Sequence, residues 1–161
     1  MKAGLISDTH IFDDEKLPSE IFHHFSDVDI ILHAGDIFTL SALDELETIA
    51  PVLAAKGNGL GDPRRDPRIK KNHIIDLEGM KVGLIHNLGV PQLTIKNVFN
   101  GNVDIIVYGD THIAELKEFK GIMLINPGSP TFPNSGERRP GTIAILEIAN
   151  EKADASIIQL S

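Results

Sequence analysis

Along the first half of the chain, apolar residues come in short runs of Ile, Val and Leu, each followed by a stretch with apolar positions at helical spacing. Runs of that kind read as strands of a largely buried sheet joined by crossover helices. Lys2–Ser7 is the first strand. Pro18–Phe25 carries a proline near its start and reads as a helix that returns the chain to a second strand, Asp29–His33. A further helix is predicted over Ser41–Ala50, with Ser41 as N-cap and acidic residues in its early turns, ahead of a third strand at Val52–Lys56.

The stretch GNGLGDPRRDPRIKKN then breaks the pattern, and its glycines, prolines and clustered Arg and Lys predict a loop. Beyond it, strands at His73–Leu77 and Lys81–His86 flank a hairpin turn at Glu78-Gly79, and Pro91–Phe99 reads as a short helix. Val103–Tyr108, Glu115–Phe119, Ile122–Asn126, Thr142–Ile148 and Ala155–Leu160 complete the strands, with turns such as Lys120-Gly121 and Asn150-Glu151 between them. A βα-rich first half followed by a β-rich second half predicts an α/β (α+β) fold of two packed sheets with helices outside. With 161 residues and no internal repeat or linker, one domain spanning 1–161 is expected.

Composition narrows the chemistry more than the fold. Hydrophobic residues make up 42% of the chain and charged residues 24%, a globular balance. The absence of cysteine excludes disulfides, zinc–thiolate sites and cysteine nucleophiles, so any metal must be held by imidazole, carboxylate, amide or water. A net charge of −8 opposes general nucleic-acid binding. The N-terminal MKAGLISDTH has one Lys and an apolar run too short for a signal peptide or a membrane span, so a cytoplasmic location with no membrane partner is expected.

Polar clusters follow directly on the apolar strands. Asp8 and His10 follow the first, Asp36 the second and Asn58 the third; His86 ends another, and Asp110 and His112 come after Val103–Tyr108. Ligands of α/β sheets bind outside the carboxyl ends of the strands, where loops gather residues distant in sequence. In SDTH, Asp8 and His10 stand two apart, so an extended stretch would project both to one side to share an ion. In GDIFT the glycine permits a tight turn before Asp36, and KGN supplies an amide carbonyl, a hard oxygen ligand. Taken singly, each residue reads equally as a helix cap, a turn residue or a hydrogen-bonded core histidine. Together, carboxylates and imidazoles converging on one crevice need pairing or an ion.

SDTH, GDIFT, KGN, the strand-end His86, GDTH and NPGS, in this order over nearly the whole chain, resemble the calcineurin-like metallophosphoesterases, and within them the small YfcE-type phosphodiesterases. The resemblance implies a four-layer αββα sandwich of two mixed sheets, with two divalent metal ions per chain. Asp8, His10, Asp36 and His112 would hold one ion. Asp36 would bridge to the second, held also by Asn58, His86 and Asp110, the last standing where the usual GHTH motif has His. Manganese is the expected metal, with nickel, zinc, iron or magnesium as alternatives. The implied activity is hydrolysis of a small phosphodiester by a metal-bridging hydroxide, with Asp8, His10, Asp36, Asn58, His86 and His112 as the catalytic set and no covalent intermediate. The implied partner is a small phosphate ester, and a homo-oligomer is left open. The alternative is a catalytically weak or silent scaffold on the same fold, similar to the retromer's metallophosphoesterase-like subunit.

Several residues depart from the pattern. Gly59 stands where some branches place a leaving-group acid, and Gly59-Leu60 replaces the Cys-Asp common in YfcE-type members. His86-Asn87 replaces HG, and Asn134 replaces the Arg that usually ends NPGSPTFP. Arg138 and Arg139 either substitute for that Arg or lie in a solvated turn. Arg64, Arg65, Arg68, Lys70 and Lys71 either steer anions or belong to a solvated loop or a subunit contact. A dinucleotide loop at GNGLG is rejected, because Asp62-Pro63 and Asp66-Pro67 interrupt the helix it would need. Ser129 of NPGS reads as a loop contact, there being no activating base motif. His33 reads as a core hydrogen-bonding group or as support for Asp36, and His23, His24 and His73 as ordinary histidines.

Overall fold

The computed structural model describes residues 1–12, 14–58, 66–133 and 141–161. Strands β1 (Lys2–Ile6), β2 (Ile30–His33), β3 (Val52–Ala55) and β4 (Ile69–Lys70) are parallel. With β10 (Thr142–Ala149) and β11 (Lys152–Gln159) added antiparallel beyond β1, the sheet has the order β11-β10-β1-β2-β3-β4. The second sheet comprises β5 (Asn72–Leu77), β6 (Met80–Ile85), β7 (Ile105–Val107), β8 (Ala114–Phe119) and β9 (Ile122–Pro127), in the order β5-β6-β7-β9-β8. Its β6, β7 and β9 are parallel, so both sheets have a parallel centre. The helices are α1 (Ser19–His24), α2 (Leu40–Glu47) and α3 (Pro91–Asn97). No described helix is long and apolar enough to cross a membrane.

Successive side chains of a strand face opposite sides, and the strands sort their apolar residues accordingly. Ala3 and Leu5 of β1 meet Leu84, Ile105, Val107 and Ile125 between the sheets. Ile6 turns outward and packs with Ile21, Phe25, Leu43 and Leu46 of the α1–α2 layer. On the far side, Ile106 and Leu124 pack with Phe99, Ile95 and Val98 in and just after α3. The result is helix, sheet, sheet, helix: the four-layer αββα sandwich. Each helix layer is seated by one phenylalanine on one glycine. A Cβ at Gly4 would stand 2.9 Å from the Phe25 ring, and one at Gly83 would stand 2.8 Å from the Phe99 ring.

Two sequence expectations fail locally. Helix α2 starts at Leu40, and Thr39 is its N-cap, its hydroxyl accepting the Ser41 N–H at 3.3 Å; no acidic residue lies in the first turn. The helix also stops at Glu47, short of Ala50, the residue before Pro51 being biased away from helical backbone. The stretch read as a loop contains β4, whose Ile69 and Lys70 pair with Ala54 and Ala55 of β3.

Candidate metal centre

Parallel strands point their carboxyl ends the same way, and here the ends of β1, β2, β3, β6 and β7 gather at one edge of the sandwich. The structure brings all seven candidate ligands together there. Asp8, His10, Asp36 and His112 each offer a ligand atom, all within 4.8 Å of one another. His10 Nε2 lies 3.1 Å from His112 Nε2, 3.5 Å from Asp36 Oδ2 and 4.0 Å from Asp8 Oδ1, and His112 Nε2 lies 3.5 Å from Asp8 Oδ1. Beside this group, His86 Nε2 lies 3.2 Å from Asp36 Oδ1 and 3.3 Å from Asp110 Oδ1. The Asn58 side-chain amide donates to Asp110 Oδ1 at 3.2 Å, and a half-turn of that amide would put its oxygen in the same place. Asp36 thus turns one oxygen to each group.

These side chains converge because the backbone doubles back. Asp8, His10, Asp36, Asp110 and His112 all have positive φ, between 44° and 72°, and account for half of the ten described non-glycine residues in that region. Such backbone costs about 1–2 kcal/mol per residue and is tolerated best by Asp and Asn. The Asp-x-His pair is therefore not in extended backbone, as its spacing suggested; two left-handed residues aim it instead. Gly35 has φ +105°, and a Cβ there would stand 2.6 Å from His86 Nδ1, so the glycine provides both the turn and the room for the imidazole.

The donor set fits divalent cations. His86 Nδ1 donates to the Ala34 carbonyl at 2.8 Å, which leaves the electron pair on Nε2. That nitrogen is buried, makes no hydrogen bond among the described residues, and faces two carboxylate oxygens. Lone pairs so arranged repel unless a cation lies among them. His112 is set in the same tautomer, its Nδ1 donating to the Phe132 carbonyl at 2.6 Å. Burial pushes the Asp8 carboxyl above its ordinary range, the neighbouring Asp36 charge adding to the effect. Burial and the nearby His112 hold the His10 imidazole below its usual pKa, and a neutral imidazole is the ligating form.

Further residues fix the loops. Buried His33 accepts the Gly35 N–H on Nδ1 at 3.1 Å and so donates from Nε2 to Thr9 Oγ1 at 3.2 Å, tying the loop after β2 to the loop after β1. Both readings of His33 hold at once: it is a core hydrogen-bonding group and it supports the turn before Asp36. Asn126 Nδ2 donates to the Gly109 carbonyl and to Thr111 Oγ1, at 3.1 and 3.0 Å, pinning the segment that carries Asp110. Asn87 donates to Asp110 Oδ2 at 2.7 Å. Sequence reasoning missed the roles of Asn126 and Asn87; the signal for the first was its place at the head of NPGS.

Other candidates belong to the framework. Ser129 Oγ is buried, donates to the Asp8 carbonyl at 2.6 Å and accepts the Phe132 N–H, which is the loop role expected of it. Arg68 is held by Asp44, Glu47 and Asp66 with its side chain only 14% exposed, so it clamps the loop to α2 and does not steer anions. His73 donates to the Ala54 carbonyl within the core. Gly59, Leu60, Asp62-Pro63, Arg64, Arg65, Asn134, Arg138 and Arg139 lie outside the described residues.

The family model described as the calcineurin-like phosphoesterase superfamily domain matches residues 1–151. A probable metallophosphoesterase of Methanothermobacter thermautotrophicus is 38% identical over 170 residues, covering 99% of this chain and 92% of its own. Among solved structures, an archaeal phosphodiesterase superposes with a TM-score of 0.76 at 26% identity, over 98% of this chain and 100% of that one. Vps29 of Entamoeba histolytica, solved in complex with zinc, superposes with a TM-score of 0.74 over 99% of both chains; at 22% identity that likeness speaks to the fold alone. With a donor set suited to cations and matches of this extent, the chain belongs to the calcineurin-like phosphoesterase superfamily, whose chemistry uses divalent metal ions.

Proposed function

We propose that the protein is a metal-dependent phosphodiesterase that hydrolyses small phosphodiesters at a centre of two divalent ions. Asp8, His10, Asp36 and His112 would hold one ion, and Asp36, Asn58, His86 and Asp110 the other. The observation that carries this reading is His86 Nε2: an electron pair fixed by the Ala34 carbonyl, buried, and aimed between the carboxylates of Asp36 and Asp110. Two ions bound there supply Lewis acidity, lowering the pKa of water and neutralising phosphoryl charge in an in-line displacement.

The chain's own residues orient that chemistry. The Ala34 and Phe132 carbonyls fix the tautomers of His86 and His112, and the Asn58 backbone N–H holds Asp36 Oδ1. Three carboxylates and an amide beside three imidazoles make a mixed oxygen and nitrogen set, which suits manganese. Gly59, in place of a leaving-group acid, favours esters whose leaving group departs without a proton, such as aryl esters. The scaffold alternative is supported by likeness of fold alone, and the His86 electron pair bears on metal binding, which a metal-bound scaffold would share.

The test is metal analysis of purified protein together with hydrolysis of bis(p-nitrophenyl) phosphate under added manganese, nickel, zinc or magnesium. Two equivalents of metal with turnover are expected. Metal-replete protein that turns over none of a varied set of esters would favour the scaffold.

A further inference from the structure

Three of the chain's seven phenylalanines stand beside the metal centre instead of in the core. Phe38 meets the His10 ring edge-on with centroids 4.7 Å apart, and Phe12 lies 5.6 Å from Phe38. Phe132 lies 5.9 Å from the His10 ring and 5.7 Å from the His112 ring. Phe132 is 66% exposed and Phe12 56%, whereas Phe25 and Phe99 are fully buried. Leaving phenyl rings in water forfeits the stabilisation that their burial would give.

The exposure of Phe132 is not that of a loose loop. Its carbonyl accepts from His112 Nδ1, and its N–H donates at 2.8 Å to Ser129 Oγ, which itself donates to the Asp8 carbonyl. The backbone of Phe132 is thus tied on both sides to candidate metal ligands, and its ring is carried at a set distance from them. A phosphate held at the centre would place its ester groups beside these rings.

We propose that Phe12, Phe38 and Phe132 form a subsite for a planar aromatic ring, so that the substrates are small phosphodiesters bearing an aryl group or a nucleobase. This rests on the phosphodiesterase reading and adds the substrate class to it. Stacking on aromatic side chains tolerates any flat ring, because every such ring presents a π-face. A nucleic-acid strand would stack its bases too, but its backbone would meet a chain of net charge −8.

The test is calorimetric binding of three phosphates to the manganese-loaded protein: phenyl phosphate, thymidine 5′-phosphate and 2-deoxyribose 5-phosphate. The ring-bearing compounds are expected to bind about tenfold more tightly than the ring-free one. In Phe132→Ala that ratio should fall to near one, while Phe132→Tyr should keep it; a side chain this exposed can be truncated without unfolding the protein, and a thermal melt checks this. Preference for both ring-bearing phosphates assigns the subsite to any flat ring, and preference for thymidine 5′-phosphate alone assigns it to a nucleobase. Equal affinity for all three in the wild type, or an unchanged ratio in both Phe12→Ala and Phe132→Ala, would overturn the subsite. Failure of all three phosphates to bind would overturn the phosphodiesterase reading, and the subsite with it.

Discussion

The Asn87 side-chain amide donates to Asp110 Oδ2 at 2.7 Å, which turns the other oxygen, Oδ1, toward His86 and Asn58. In sequence these are two unrelated departures, HN in place of HG and GDTH in place of GHTH. In space they are one unit, a carboxylate in the usual imidazole's place together with the group that orients it.

That unit predicts a selective loss. Asn87→Ala should weaken the second ion about 10–100-fold, the usual scale for losing an orienting partner, and leave the first in place. Asp110→Ala should lose the second ion outright, and Asp110→His should shift preference from manganese toward zinc or nickel. Calorimetric stoichiometry with each metal distinguishes these; an Asn87→Ala protein with two equivalents at wild-type affinity would break the link between the two residues.

Asp36 is the residue whose loss should cost most. Its oxygens face His10 and His86 separately, so Asp36→Ala is expected to reduce binding of both ions and abolish hydrolysis, while Asn58→Ala chiefly weakens the second. Metal content by mass spectrometry alongside an aryl diester assay reads both effects. Wild-type turnover by Asp36→Ala would end the two-ion reading.

The strands other than β4 and the seven polar positions were legible in sequence because both follow from short-range rules: a strand buried on both faces is a run of Ile, Val and Leu, and loops at parallel strand ends converge. The route by which Asp8 and His10 meet was not legible, since Asp and His tolerate left-handed backbone but mostly adopt other conformations, so residue type alone does not announce it. Neither was the Asn87–Asp110 bond, which joins residues 23 positions apart. The shortened α2 is a milder case, in which Thr39 outcompeted Ser41 as cap by standing two residues nearer the end of β2.

His33 gives the protein an acid sensitivity of definite sign. Burial first, and then the neighbouring His86 and His10, hold its pKa at about 3, against about 6.5 when unfolded. Between those values the unfolded chain binds a proton that the folded one refuses. Its contribution to stability is therefore complete above pH 6.5 and is lost on acidification by up to about 1.4 kcal/mol per pH unit. His33→Gln keeps a donor and an acceptor but does not titrate, so melts from pH 7.5 to 4.5 should fall less steeply in the variant. Equal slopes in the two proteins would assign the loss to other groups.

Gly4 and Gly83 should each resist even a methyl group. Gly4→Ala would press on Phe25 and Gly83→Ala on Phe99, each costing about 1–3 kcal/mol and several degrees of melting temperature. Adding Phe25→Leu to Gly4→Ala should cost less than the two single changes combined, because the shorter side chain relieves the overlap. Strict additivity in a thermal melt would show that the ring and the glycine are not coupled.

The left-handed residues at the strand ends also divide the protein's fluctuations. Asp8, His10, Asp36, Asp110 and His112 keep their backbone only while the surrounding contacts oblige them to, and all five lie along one edge of the sandwich. That edge is where the native state should first come apart: amide protons of residues 8–10 and 110–112 are expected to exchange through small local openings, while those of β1, β2 and β7 should wait for the molecule to unfold as a whole. A cation bound by these side chains would bind neither the locally opened nor the unfolded form, so it should slow exchange at the edge and in the core by the same factor, and the edge would show it first because its openings are the smaller ones. Hydrogen exchange at that edge should thereby report metal binding under native conditions, without the protein being heated.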